Sequence, residues 1–160
     1  DKPYLCGKFT SKKSRNILSE GKINFYAEND FQLGDESRFE SWLRQVVTSE
    51  NKKTGEISFI FCDDEYLLKI NKEYLDHDTY TDIISFDNSL GNILNGDIFI
   101  STERVAENAI SYEVSFEEEL KRVMVHGVLH FCGYTDKSTA EKEVMREKEE
   151  EKMKMSHVEQ

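Results

Sequence analysis

The chain has little that would belong to a membrane protein or to a disulfide-bonded scaffold. No run of apolar residues approaches the roughly 18 that a membrane-spanning helix needs, and the first residues lack the apolar centre of a secretory signal. The three cysteines, Cys6, Cys62 and Cys132, form no C-x-x-C pair and leave an odd number, which favours a reducing compartment. We therefore expect a cytoplasmic protein without a membrane segment.

Basic residues are also scarce. Lys and Arg number 21 against 32 Asp and Glu, which gives a formal net charge of −11. Because phosphate contacts depend on Lys and Arg, this balance argues against a generic nucleic-acid binder. Much of the acidic excess lies at 117–119 and 141–155, however, so a locally neutral or basic groove remains compatible with the sequence. A bound metal would add positive charge of its own.

The chain has neither internal repeats nor low-complexity linkers, and its 160 residues suit one domain with a single core. Residues 1–21 show no apolar periodicity and carry basic residues that include Lys8, Lys12, Lys13 and Arg15, so we expect a disordered basic arm or a leader left by expression. The folded domain is predicted at 22–155, with a disordered tail at 156–160. The charged last helix offers little to bury, so its end is expected to fray; the residues available are Ala140, Val144 and Met145.

Alternation, apolar stripes and capping signals predict an α+β domain. Strands are expected at 23–27, 56–62, 81–86 and 96–100, with a loop at 88–95 whose shortness makes the last two strands antiparallel and the four-stranded sheet mixed. Helices are expected after Asp35, after Asp63 or Asp64, and after Ser101, Ser115 and Ser138. The first helix has a core stripe at Phe39, Trp42, Leu43, Val46 and Val47. The third is expected to turn Val105, Ala106, Ala109 and Ile110 inward.

The stretch HGVLHFCGYTD, residues 126–136, concentrates the residues that can do chemistry. His126 and His130 are four apart, so on a helix their imidazoles lie on the same side and can converge on one ion. Gly133 is suited to the left-handed residue that ends a helix, after which the chain can return Asp136 as a third ligand. Two histidines and a carboxylate leave at least one coordination position open, which is typical of catalytic Zn²⁺.

The histidines could instead be ordinary half-buried side chains. On a helical wheel they lie at the edge of an apolar face, where an unpaired imidazole is costly to bury and a metal with outer hydrogen bonds satisfies both ring nitrogens. That face comprises Leu120, Val123, Met124, Gly127 and Phe131. Cys132 projects away from the histidines and is predicted to be core. The helix should therefore pack centrally on the sheet and hold one Zn²⁺, or another first-row divalent ion, per chain.

A zinc protease of the H-E-x-x-H-x-x-G type has the same rhythm as this stretch. In such enzymes the general base is the Glu that follows the first histidine, and here Gly127 stands at that position. Glycine has no side chain to accept a proton, so proteolysis by this mechanism is disfavoured.

The motif resembles more closely the YbeY family of rRNA maturation factors, whose signature is H-G-x-L-H-L-x-G-Y-D-H. NKEYLDHDTYTDIISFD and GDIFIS are similar to two further family segments, so the resemblance covers about residues 22–150. It implies a metal-dependent endoribonuclease that acts on single-stranded RNA, with an rRNA precursor as substrate and the ribosome or a ribosomal protein as partner. Asp136 stands at the family's third histidine, Thr135 at its Asp, and Leu75 at an Arg that serves phosphate chemistry.

Two alternatives stay open beside this interpretation. The chain could be a ribosome-assembly or RNA-binding factor with a structural metal, which the loss of the Arg at Leu75 would suit, or, less favoured, a zinc protease. Further polar residues lie in the family-like segments: His77, Asp82, Ser85, Asp87 and Asp97. Asp82 and Asp97 could serve the site or merely cap strand ends, and His77 is expected to be solvated. The sequence predicts no oligomeric state.

Overall fold

A computed structural model of the chain describes residues 21–77 and 79–158, with side chains through residue 156. Nine elements follow one another in this part of the chain: β1 Lys22–Ala27, α1 Glu36–Ser49, β2 Lys53–Cys62, α2 Asp64–Leu75, β3 Ile83–Asp87, β4 Ile93–Ser101, α3 Thr102–Tyr112, α4 Phe116–Phe131 and α5 Thr139–Val158. The leader predicted at 1–21 lies outside the described residues except for Gly21. No helix within the described ranges combines the length and apolar character needed to cross a membrane.

The four strands form one mixed sheet in the order β1-β2-β4-β3. β1 and β4 both run parallel to β2, whereas β3 runs antiparallel to β4, so the predicted α+β fold with a mixed four-stranded sheet is confirmed. β4 begins earlier than predicted, because Ile93 and Leu94 pair with the start of β2. Leu94 is buried there, and only the preceding residues form the turn between β3 and β4.

Side chains alternate across the sheet and divide the core into two layers. From β2, Ile57, Phe59 and Phe61 enter the larger layer, which the helices α1, α4 and α5 cover. Ile60 and Cys62 point to the opposite face, where α2 packs through a smaller cluster. The helix that carries the histidines therefore lies on the main face of the sheet.

α4 packs closely against the sheet because it has a glycine where it crosses β4. A Cβ built at Gly127 would lie 3.0 Å from Ile98 Cδ1 and 3.2 Å from Ile83 Cδ1, so the helix is already at contact distance. Ser115 begins the helix by accepting from the Glu118 backbone N–H. The predicted central helix is confirmed, and its backbone is fixed by apolar contacts on the side away from the histidines.

α3 buries less than the periodicity predicts. Val105 and Ala109 are buried, but Ala106 is only partly covered and Ile110 is 79% exposed. The prediction that Ile110 points inward is wrong, because α3 packs mainly on α4 and leaves its last turn uncovered.

α5 packs more extensively than its few apolar residues predict. Its inner face buries Met145, Glu149, Lys152, Met153 and Ser156, whereas Ala140 and Val144 are exposed. Trp42 Nε1 donates to the Lys152 carbonyl at 2.8 Å. The helix continues to Val158, so residues 156–158 of the predicted tail lie within α5. Polar residues are buried here because each has a partner, which an apolar count cannot register.

Candidate metal centre

α4 brings the two histidines together as their spacing predicts. The Nε2 atoms of His126 and His130 are 3.0 Å apart, and the two side chains are 20% and 28% exposed. They lie at the edge of the buried face and not within it. Both rings are therefore partly accessible to solvent.

A tight turn returns the third predicted ligand to the histidines. Gly133 has φ +108°, a conformation that suits glycine, and the Gly133 and Tyr134 N–H groups donate to the carbonyls of His130 and Leu129. Asp136 Oδ2 consequently lies 3.3 Å from His126 Nε2 and 3.7 Å from His130 Nε2. The structure thus brings together all three residues that the sequence singles out.

The outer nitrogens of both rings are held in a way that fixes where their lone pairs point. His130 Nδ1 lies 2.9 Å from the Tyr134 carbonyl oxygen, which can only accept, so this nitrogen carries the proton. His126 Nδ1 lies 2.6 Å from Glu149 Oε2, where it donates in the same manner. In the neutral rings the Nε2 lone pairs then point toward each other and toward the Asp136 carboxylate. A cation between these three atoms would remove the repulsion among them.

The spacing of these three atoms suits a first-row divalent ion. Donors around tetrahedral Zn²⁺, each about 2.0–2.2 Å from the metal, stand roughly 3.3–3.6 Å from one another, and the three distances here are 3.0, 3.3 and 3.7 Å. Over the ranges 21–77 and 79–158 this is the one group of three or more His, Cys, Asp or Glu residues with such convergence. The residues present therefore fit a metal ion.

Glu149 supports the candidate site and was not predicted from the sequence. It comes from the buried face of α5, where its side chain is 9% exposed, and it bridges His126 and Arg122, whose Nη1 lies 3.4 Å away. A signal for it existed, since Glu149 lies four residues from both Met145 and Met153, which are buried. A charged residue at the centre of an apolar stripe indicates a buried partner.

Acidic neighbours make His126 a stronger base than an ordinary histidine. Burial alone would lower its pKa, but the hydrogen bond and charge of Glu149, with the charges of Asp136 and Asp82, raise the pKa above the usual 6.5. The same negative surroundings favour a bound cation over an empty pair of rings. Asp82 itself has a raised pKa, chiefly because it is buried.

A cleft of about 570 Å³ opens beside the three ligands. Its polar lining includes Asp82, Asn108, Tyr112, Arg122, Arg146 and Glu149. Asp82 was expected either to serve the site or to bond at a strand end, and its position is compatible with both. Its backbone carbonyl accepts from the Ser101 N–H at 3.0 Å, and the residue lines the cleft beside His126. A substrate could therefore reach the ligand side of the site from solvent.

The other predicted polar residues lie away from this cleft. Asp97 is buried within β4, Asp87 is exposed and accepts from the Ser89 N–H, and His77 is exposed as expected. Ser85 lies within β3 and does not line the cleft.

Leu75 and Cys132 also lie outside the cleft. Leu75 ends α2, with 40% of its surface exposed, and does not line the cleft. Cys132 packs against the main core, where burial raises the pKa of its thiol to about 11, which suits a core residue and not a ligand.

Comparisons with known proteins place these features in context. The family described as Endoribonuclease YbeY matches residues 23–157. Endoribonuclease YbeY of Christiangramia forsetii is 64% identical over 143 residues, covering 89% of this chain and all of that protein. The Flavobacterium johnsoniae protein of the same name is 62% identical, covering 86% of this chain and 99% of its own. TM1509 from Thermotoga maritima, solved in solution, shares the fold with a TM-score of 0.64 at 23% identity, covering 86% of this chain and 91% of that one.

Proposed function

This chain belongs to the endoribonuclease YbeY family, and from that premise we propose that it cleaves single-stranded RNA with a divalent metal ion held by His126, His130 and Asp136. The observation that carries the metal assignment is the convergence of two imidazole lone pairs and one carboxylate oxygen, with both outer nitrogens already bonded. Such a donor set suits Zn²⁺ or a similar first-row ion. We propose one ion per chain, since the described residues contain one such cluster.

The openness of the site supports catalysis in preference to a structural metal. Structural zinc sites are closed by four protein ligands, whereas here three residues converge at the border of a cleft and Asp136 is 39% exposed. When bound, the ion supplies a Lewis acid that polarises a phosphodiester oxygen and makes water easier to deprotonate. The protein holds the ligands rigidly through α4, the Gly133 turn and Glu149.

The residues around the ligands divide the remaining work. Glu149 keeps the His126 ring oriented, and the Tyr134 carbonyl does so for His130. Asp82 borders the same cleft and has a raised pKa, which suits a carboxyl that moves a proton during hydrolysis. Gly127 offers no base beside His126, so the chemistry proposed is phosphodiester and not peptide hydrolysis.

The substrate and location follow from the family. We propose an rRNA precursor as the RNA, the ribosome or a ribosomal protein as the partner that presents it, and the cytoplasm as the compartment. Leu75, where the family pattern has an arginine, favours a second candidate in which the chain is an RNA-binding assembly factor with a structural metal. The two candidates differ in whether the purified protein cuts RNA.

Metal content followed by RNA cleavage tests the proposal. We expect about one equivalent of a first-row divalent ion per chain, cleavage of a single-stranded RNA, loss of cleavage with a chelator, and recovery when the ion is restored. His130→Ala should lose both metal and cleavage. His77→Ala is the matched control, because His77 is exposed and does not line the cleft, and it should retain both.

Two outcomes would contradict parts of this proposal. Stoichiometric metal without cleavage of any single-stranded RNA would favour the assembly factor. Full cleavage by protein that contains no metal, and that a chelator does not inhibit, would overturn the metal-dependent mechanism.

A further inference from the structure

The two arginines that line the cleft differ in whether acidic side chains neutralise them. Arg122 is engaged with acidic partners, since its Nε lies 3.7 Å from Glu119 Oε1 and its Nη1 lies 3.4 Å from Glu149 Oε1. Arg146 is exposed and, among the residues that the structure describes, forms no recorded ion pair or hydrogen bond through its side chain. Arg146 is therefore the cation of the cleft whose guanidinium is available to a ligand.

Helix geometry explains why Arg146 faces the ligand side. It lies three residues before Glu149, so the two side chains emerge from the same side of α5. Glu149 contacts His126, and the next turn of that side of the helix borders the same cleft. An anionic group approaching the three ligands from solvent would meet the Arg146 guanidinium, which can donate two parallel hydrogen bonds to a phosphate.

An exposed aromatic ring lines the same cleft. Tyr112 ends α3 and is 62% exposed although it borders the cleft. Tyr112 is not a core residue. The residue of α3 that enters the main core is Val105. Every nucleobase has a π-face that stacks on such a ring, and single-stranded nucleic acids are bound in this manner without regard to sequence.

We propose that Arg146 and Tyr112 form a nucleotide-binding subsite for single-stranded RNA, in which Arg146 contacts a backbone phosphate and Tyr112 stacks on a base. The inference rests on the proposed function, since it supplies the means by which an acidic protein holds RNA beside the three ligands. It also explains how binding coexists with a formal charge of −11, because one available cation and one ring act locally within the cleft.

Equilibrium binding by the full chain with its metal tests the subsite. The probe is a fluorescently labelled single strand of 2′-O-methyl RNA with phosphorothioate linkages, checked for integrity after each titration, and its dissociation constant is measured over a range of KCl concentrations. Arg146→Ala should weaken binding about tenfold at low salt and reduce the slope of log K against log salt by about 0.7, the value for one phosphate contact on a single strand. Arg146→Lys should keep the wild-type slope.

Tyr112 should behave differently because stacking releases no counterions. Tyr112→Ala should weaken binding about tenfold at every salt concentration without changing the slope, and Tyr112→Phe should bind as wild type does. Two controls match these variants: Lys142→Ala removes an exposed cation of the same helix, and Ile110→Ala removes an exposed apolar side chain of α3, neither of which lines the cleft. Both should bind within about twofold of wild type.

Different results would contradict different parts of the proposal. Wild-type binding by Arg146→Ala and Tyr112→Ala overturns the subsite, and an equal loss of slope in Lys142→Ala overturns the assignment to Arg146, since the attraction would then be diffuse. Cleavage assays on the same preparations separate this from the proposed function. If wild type cuts RNA while the variants bind as wild type does, only the subsite proposal fails. If the variants show the expected binding differences but wild type never cuts RNA, only the proposed nuclease function fails.

Discussion

At the scale of single residues, the site depends as much on what holds the rings as on the ligands themselves. Glu149 bonds His126 Nδ1 at 2.6 Å and turns its Nε2 toward Asp136. Glu149→Gln keeps the size of the side chain but removes the charge that makes the imidazole a better ligand, so metal affinity should fall about 10–100-fold. Competition with a chromogenic chelator measures this. Glu150→Gln, at an exposed neighbouring position, is the control; equal affinities in wild type and Glu149→Gln would contradict the assignment.

Asp136 is where this chain departs from the family signature at a proposed ligand. A carboxylate adds negative charge that imidazole lacks, so it should favour harder ions and leave water on the ion less acidic than three histidines would. Asp136→His should retain metal and shift the pH–activity profile to lower pH, whereas Asp136→Ala should lose much of the affinity and Asp136→Asn should fall between.

The competing explanation for Asp136 is that it merely ends the turn after Gly133. In that case Asp136→Ala would lower the melting temperature while leaving metal affinity unchanged, so both quantities are measured on all three variants. The geometry favours a ligand, since the carboxylate lies 3.3 Å and 3.7 Å from the two Nε2 atoms.

At the scale of elements, α5 is fastened to the end of α1 by a buried ion pair. Lys152 Nζ lies 2.7 Å from Glu50 Oε2 and the lysine side chain is 1% exposed, while the Tyr134 hydroxyl donates to Glu50 Oε1 at 2.8 Å. Lys152→Met would leave the Glu50 carboxylate covered, with only the more distant Lys148 Nζ, 3.5 Å away, as a cationic partner. Unfolding free energy from urea titration should drop by about 3 kcal/mol.

The exposed Lys154 gives the matched control for that measurement. Lys154→Met should change the free energy of unfolding by no more than about 0.5 kcal/mol. A comparably small change in Lys152→Met would mean that the pair does not anchor α5.

The same pair gives stability a defined dependence on acid. Burial alone would raise the pKa of Glu50, but hydrogen bonds from Lys152 and Tyr134 lower it below the usual 4.5. A carboxyl with a lowered folded-state pKa contributes stability that is fully present above the unfolded pKa and is lost as pH falls through the folded pKa. The melting temperature of wild type should therefore decline below about pH 4.5 more steeply than that of Glu50→Gln, and parallel curves would contradict this.

Apolar periodicity predicted most of the elements because buried faces of helices and strands repeat at 3.6 and 2 residues. The stripe from Phe39 to Val47 and the strand that ends in Cys62 are buried as predicted. The same reasoning missed Glu149 and Lys152, because a polar side chain is buried only when a partner from a distant element meets it. It also misplaced Ile110, because periodicity identifies an apolar face without saying whether another element covers it.

At the scale of the whole molecule, the candidate site is assembled from a short part of the chain. His126, His130, Asp136 and Glu149 lie within 24 consecutive residues, from 126 to 149, and the spacing of the first three could be predicted because one helix and one glycine turn place them. The groups that support them could not be predicted, since the approach of α5 is decided by its packing on α4 and α1.

Because residues 1–20 show no apolar pattern and lie outside the family match at 23–157, their removal tests whether the folded unit is self-sufficient. A chain that begins at Gly21 should keep its metal content, and its melting temperature should stay within a few degrees of the full chain's. Differential scanning calorimetry and elemental analysis on the two proteins check this. A fall of about 10 °C or more would mean that the removed segment stabilises the domain.

Gly127 has a bearing on how this fold could change its chemistry over evolutionary time. Any Cβ at this position would press on Ile98 and Ile83, so the Glu that a zinc protease carries after its first histidine could enter only if these side chains, or α4 itself, gave way. The contact that fixes the helix thus opposes a change to peptide hydrolysis, because the substitution that would install a base would also disturb the packing that positions the ligands.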